Sequence, residues 1–181
     1  MSHSKKLIPV NSQKDILEEY KNTPIEKLFK YHNLGKKFTK YKSAQLLVGM
    51  CMDNRKHLHI PDNFSFIIRT GGANLRFSQF ELSFAIAIGG IKYIAIIGHD
   101  KCGMVNLKAK KNKFISGLVK SAGLKLNEAQ KHFNQFVDKY EIGNEVDFVL
   151  SEVKRLRLQY PKIKVAPLLY LVENGRLYFI K

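Results

Sequence analysis

Two short clusters carry residue types that packing alone does not call for. They are Cys51-Met52-Asp53-Asn54-Arg55 and His99-Asp100-Lys101-Cys102-Gly103. Two thiolates and an imidazole, here Cys51, Cys102 and His99, form a ligand set that zinc favours. Three protein ligands leave a fourth position open. The chain has only two cysteines, and His3, His32, His57, His59 and His132 show no spacing that would complete the set. Structural zinc sites are normally closed by a fourth thiolate or imidazole. An open position instead suits an ion that lowers the pKa of a bound water to about 7.

Asp53 and Arg55 lie two apart in the first cluster. A carboxylate paired with a guanidinium stays ionised and is fixed in orientation, so it can accept a proton or hydrogen bond from an activated water. The same Asp53 could instead reach the metal and close the fourth position, and the spacing allows both roles. Each cluster alone is a weak signal, since an aspartate and an arginine near a strand end are often an ordinary surface pair. Together, each behind an apolar run, they form a candidate site.

The elements that must position them can be read from the hydrophobic pattern. Leu46 to Met50, Phe64 to Ile68 and Ile91 to Ile97 are short apolar runs, as expected of strands buried on both faces. A helix is expected between the second and third runs, opened by a capping box at Ser78 and Glu81 and stopped at Gly89-Gly90. Strand, helix, strand in this order implies a mostly parallel sheet flanked by helices. Both clusters then follow strand C-termini, the edge at which open α/β sheets bind ligands. A helix is also expected to begin near Gly103, which would favour a Cys102 thiolate. Two further helices, Asn127 to Tyr140 and Asn144 to Tyr160, precede a strand from Ile163 to Val172, a turn at Glu173–Arg176 and a strand from Leu177 to Ile180. Thr23-Pro24-Ile25-Glu26 starts a helix towards His32, and Ser12-Gln13-Lys14-Asp15 suits a shorter one. Together they make an N-terminal helical arm over about residues 1–35 of a single domain spanning 1–181.

A hydrophobic share of 45% and a charged share of 25% over 181 residues are globular values. No run approaches the roughly 18 apolar residues of a spanning helix, and the polar N-terminus leads into no secretory h-region. The expected location is the cytoplasm, which argues against a structural disulfide between the cysteines. The net charge of +16 predicts attraction to anions. The lysines are spread along the chain, and the densest run, Lys108 to Lys113, lacks interleaved aromatics. Nucleic acid is therefore not expected as a partner, nor is a membrane.

These residues resemble the beta-class carbonic anhydrases. The signatures are Cys51-Met52-Asp53-Asn54-Arg55 and Gly98-His99-Asp100-Lys101-Cys102-Gly103-Met104, with Ile68-Arg69-Thr70-Gly71-Gly72-Ala73-Asn74 as the glycine turn between them. The resemblance runs from about Thr23 onward and takes in the last helix and hairpin. It implies that Cys51, His99 and Cys102 bind Zn2+, that Asp53 and Arg55 are the catalytic dyad, and that Gly71, Gly72, Ala73 and Gly103 border the substrate pocket. The implied reaction is reversible hydration of carbon dioxide to bicarbonate and a proton by zinc-bound hydroxide. The implied assembly is a homodimer or higher homo-oligomer, with the N-terminal arm wrapping a neighbour. The family more often has Arg-Asn-Ala-Gly-Asn at the glycine turn. Because this turn shapes the pocket, a zinc hydrolase of carbon disulfide or carbonyl sulfide is an alternative. A non-catalytic zinc-binding homologue with an anion- or nucleic-acid-binding role is a second.

Overall fold

The computed structural model describes residues 6–181, so residues 1–5, with His3 and the leading polar stretch, lie outside the description. Among the described residues the chain forms one six-stranded sheet and five α-helices. The strands are β1 (Leu7–Pro9), β2 (Leu46–Cys51), β3 (Ser65–Thr70), β4 (Tyr93–His99), β5 (Lys164–Leu171) and β6 (Arg176–Ile180). The helices are α1 (Pro24–His32), α2 (Gln79–Ala87), α3 (Lys111–Ala122), α4 (Leu126–Tyr140) and α5 (Glu145–Gln159). Strand order is β1-β6-β5-β4-β2-β3. β5, β4, β2 and β3 run parallel, while β6 and β1 add an antiparallel margin.

Period-two alternation divides the strand side chains between two cores. Val48, Met50, Ala95, Ile97, Ala166 and Leu168 face one core with the buried side of α1. Leu47, Ile94, Ile96, Val165 and Leu169 face the other with α2 and α5. Gly49 and Gly98 have no side chain where these layers approach most closely. A Cβ on Gly49 would lie 2.5 Å from Leu75, and one on Gly98 would lie 2.6 Å from Val149 of α5. Both glycines lie near strand C-termini, so they let the covering layer close down beside the candidate site.

Local signals at the helix ends gave mixed results. Thr23 caps α1 by accepting from the Ile25 N–H, but Glu26 accepts from Asn22 and not from the cap residue. Gly90 takes the expected left-handed conformation after α2. The capping box expected at Ser78 is absent, since Ser78 lies outside the extended region and makes no side-chain cap bond. The N-terminal segment is less helical than expected. Gln13–Asp15 and Glu18–Tyr20 are single 3-10 turns, and β1 precedes them. Val10, Ile16, Tyr20, Ile25, Leu28 and Phe29 are buried in this chain's own sheet core, so the segment covers its own fold. No helix among the described residues is long and apolar enough to cross a membrane.

Candidate metal centre

Parallel pairing of β2 with β4 brings the two clusters to one edge of the sheet. Cys51 is the last residue of β2 and His99 the last of β4. The turn after β4 then returns Cys102, so that the Cys51 and Cys102 sulfurs lie 3.9 Å apart. One ligand atom from each of Cys51, His99 and Cys102 lies within 4.8 Å of the others, and all three residues are buried. Two sulfurs on one tetrahedral zinc would be about 3.8 Å apart for Zn–S bonds of about 2.3 Å.

His99 supplies a second test of fit. Its Nδ1 lies 2.8 Å from the Asp100 carbonyl, an acceptor only, so Nδ1 must donate. That leaves Nε2 with a free lone pair, buried and without a hydrogen-bond partner. A buried nitrogen of this kind is costly unless something binds it. The donor set and its spacing therefore fit a zinc ion.

The two thiols sit in different fields. Cys51 is driven towards the thiolate by the Cys102 thiol, with further help from the backbone N–H groups of Asp53 and Gly72, the latter 3.3 Å away. Cys102 is pushed the other way by its proximity to Cys51 and by burial. The helix expected at Gly103 is absent. Lys101 and Asn106 take positive φ and break the chain into turns, with α3 beginning only at Lys111. No helix end therefore stabilises a Cys102 thiolate. Instead the Cys102 N–H is held by Glu145 of α5 at 3.0 Å.

Asp53 and Arg55 form a two-pronged pair. Arg55 Nε donates to Oδ1 at 3.0 Å and Nη2 to Oδ2 at 2.7 Å, while the Arg55 backbone N–H adds a bond to Oδ1. These donors hold the Asp53 carboxyl well below the usual carboxylate range. Asp53 Oδ2 is 3.9 Å from His99 Nε2, beside the thiol and imidazole cluster. Arg55 is itself braced by the Lys101 carbonyl, which ties the first turn to the second.

Of the residues expected to border the pocket, Gly71, Gly72 and Ala73 are buried, with Gly72 and Ala73 at positive φ. The Gly72 N–H is spent on the Cys51 sulfur. Gly103 is exposed, with open space where a side chain would stand, and its carbonyl accepts from Lys110.

Three contributors were given no role from the sequence. Lys56 is fully buried and donates to the Asp53 carbonyl at 3.1 Å. Arg69 donates to the carbonyls of Lys56 and Asp53 from β3. Glu145 reaches Cys102 from 43 residues away. Lys56 was within reach of a local reading, as a cation just past the first cluster, and Arg69 as the residue that opens the glycine turn.

The carbonic anhydrase family model matches residues 47–177. Among solved structures, the chain is similar to a beta-carbonic anhydrase isoform from Trichomonas vaginalis, at 20% identity and TM-score 0.64, covering 80% of this chain and 87% of that one. It is also similar to a carbonic anhydrase from Streptococcus mutans, at 17% identity and TM-score 0.60, covering 92% and 100%. A carbon disulfide hydrolase in its apo form is a third, at 23% identity and TM-score 0.54, covering 89% and 90%. A search of curated proteins finds no match.

Proposed function

Because the chain belongs to the beta-class carbonic anhydrase family, we propose that it is a zinc-dependent enzyme catalysing the reversible hydration of carbon dioxide to bicarbonate and a proton. The observation that carries this reading is the convergence of Cys51, Cys102 and a partnerless, buried His99 Nε2 beside an aspartate held by arginine. Zinc in that cluster would act as a Lewis acid and bring the pKa of a water to about 7.

The chain's own residues supply the rest. Asp53 is held ionised and receives the proton or hydrogen bond of the reacting water. Arg55 occupies both carboxylate oxygens, which keeps Asp53 turned to the guanidinium. Lys56 and Arg69 fix the Asp53 backbone from below. Met104, Ile142 and Phe148 pack around the two thiols as an apolar wall suited to a neutral, linear substrate. The same wall would serve carbonyl sulfide or carbon disulfide, so these belong in the same assays.

Two further proposals follow. β3 is an edge strand with exposed Phe66 and Ile67, and Phe77, Phe80, Phe84 and Ile88 form one exposed stripe on and beside α2. Such a surface suits burial against a second copy of the chain, as a homodimer or higher homo-oligomer. Replacing Phe80 by Lys should shift the sedimentation coefficient to that of a monomer. Two free thiols and the absence of a spanning helix among the described residues are compatible with the cytoplasm.

The primary test is stopped-flow carbon dioxide hydration on protein of measured zinc content, across a pH series. Turnover that rises with pH is expected. Stoichiometric zinc without hydration between about pH 7 and 9 would sink the assignment.

A further inference from the structure

The α3–α4 hairpin stands apart from the sheet. Its small core of Ile115, Ala129, Phe133 and Val137 shares no member with the two sheet cores. Between the hairpin and the turn after Cys102 lies a cavity of about 160 Å³. Leu107, Phe114, Phe133 and Phe136 form much of its wall, and Met104 and Tyr140 also line it.

These last two residues connect the cavity to the metal centre. Met104 packs in the same apolar cluster as Cys51 and Cys102. It also lies against the glycine turn, where a Cβ on Gly71 would be 3.3 Å from the Met104 sulfur and 3.2 Å from the Tyr140 ring. One flexible thioether and one ring edge thus stand between the cavity and the residues around the Cys51 sulfur. Methionine has three rotatable bonds and moves at little cost. The hairpin is moored on this side by Asn74, which donates to the Lys139 carbonyl, and by the Phe77 ring against Tyr140.

We propose that this cavity is a binding site for the neutral, apolar substrate, which reaches the metal centre past Met104. The assignment of substrate rests on the heterocumulene reading above. Apolar cavities of similar volume take up small nonpolar molecules such as benzene or xenon. Carbon dioxide and its sulfur analogues are small, uncharged and without hydrogen-bond donors, so this lining costs them little desolvation. Bicarbonate would lose much of its hydration there against a mostly apolar wall. The anion is left to the side of the centre where Arg55 and Arg69 lie around Asp53.

Xenon is the probe. With methyl-13C methionine, the Met104 methyl resonance should shift saturably under xenon, while those of buried Met50 and exposed Met52 stay in place. No shift at Met104 overturns the site. Leu107→Phe and His132→Trp should fill the cavity, and His132 is exposed, so the second tolerates change. Both should abolish the xenon shift and raise KM for carbon dioxide about fivefold with kcat kept. An unchanged KM in variants that no longer bind xenon overturns the route while leaving the activity intact. A xenon shift in zinc-loaded protein that turns over none of the three substrates overturns the occupant, and the enzyme assignment fails with it.

Discussion

The two turns that meet at the metal centre are built differently. The turn after β2 is held by charge. Asp53 is gripped by Arg55 through its carboxylate and by Lys56 and Arg69 through its carbonyl. In the turn after β4 charged side chains act only on backbone groups, with Lys110 on the Gly103 and Val105 carbonyls and Asp100 on the Val172 N–H, and apolar contacts add to them. The Cys102 N–H rests on Glu145, Val105 bridges to Ile142, and Met104 packs on the glycine turn. The difference divides the labour. The first turn presents an oriented carboxylate and a cationic side for an anion, and the second presents two ligands and an apolar side for a neutral molecule. The proposed reaction, which would interconvert a neutral gas and an anion, needs both.

The comparison breaks most completely if the ligands they share are removed. Cys102→Ser and His99→Ala should each reduce zinc content to near background, with hydration activity lost in parallel. Elemental analysis and stopped-flow on the same samples would check this. Retained activity in a zinc-free variant would remove the centre from the mechanism.

The next largest effect separates chemistry from metal holding. Asp53→Asn keeps the shape of the first turn but removes the charge. Zinc content should stay normal while kcat falls by a factor on the order of 10² to 10⁴, the usual worth of a positioned acid or base. Unchanged kcat would make Asp53–Arg55 only a structural pair.

A smaller effect is expected from the support of the second turn. Glu145→Ala frees the Cys102 N–H and should weaken zinc binding about 10-fold to 100-fold, the range seen when outer partners of metal ligands are lost. Competition with a chromophoric chelator would measure it. Affinity equal to that of the unaltered chain would show that the turn holds its shape without α5.

The same contrast explains what the sequence made legible. Cys51, His99 and Cys102 could be found because each follows or nearly follows a buried apolar strand, and strand ends at one edge of a parallel sheet converge. Gly90 and Thr23 were legible because caps are local. Glu145 was not, because nothing near it in the chain refers to Cys102. The helix expected at Gly103 failed for a related reason. Lys101 and Asn106 at positive φ, with Lys110 binding the Gly103 and Val105 carbonyls, favour turns over a helical ladder. β1 escaped notice because three residues carry no period, and its pairing with β6 is set by a strand at the far end of the chain. The cavity depends on α3, whose lysine-rich start reads as solvated surface until Phe114 and Ile115 are placed against α4.

Acid should separate the two turns most gently. The stretch following the first turn is anchored where the His59 N–H donates to His32 Nδ1 at 3.0 Å. This bond needs a neutral His32, whose pKa is pushed down to about 4, mainly by burial. An unfolded histidine takes its proton near pH 6.5. Between these values the unfolded chain is protonated at His32 and the folded chain is not. The stability contribution is therefore complete above about pH 6.5, falls as pH drops towards about 4, and is flat below that. The expected loss is about 1–2 kcal/mol, less than the full shift would give because the side chain is only partly withdrawn from water. His32→Gln retains an acceptor for His59 that does not charge, so its urea-unfolding free energy should fall less steeply from pH 6.5 to 4. The second turn is anchored by carboxylates instead, Glu145 accepting from the Cys102 N–H and Asp100 from the Val172 N–H. If the two proteins lose stability in parallel over this window, the His32–His59 contact does not couple acid to the first turn, and the fold is acid-sensitive elsewhere.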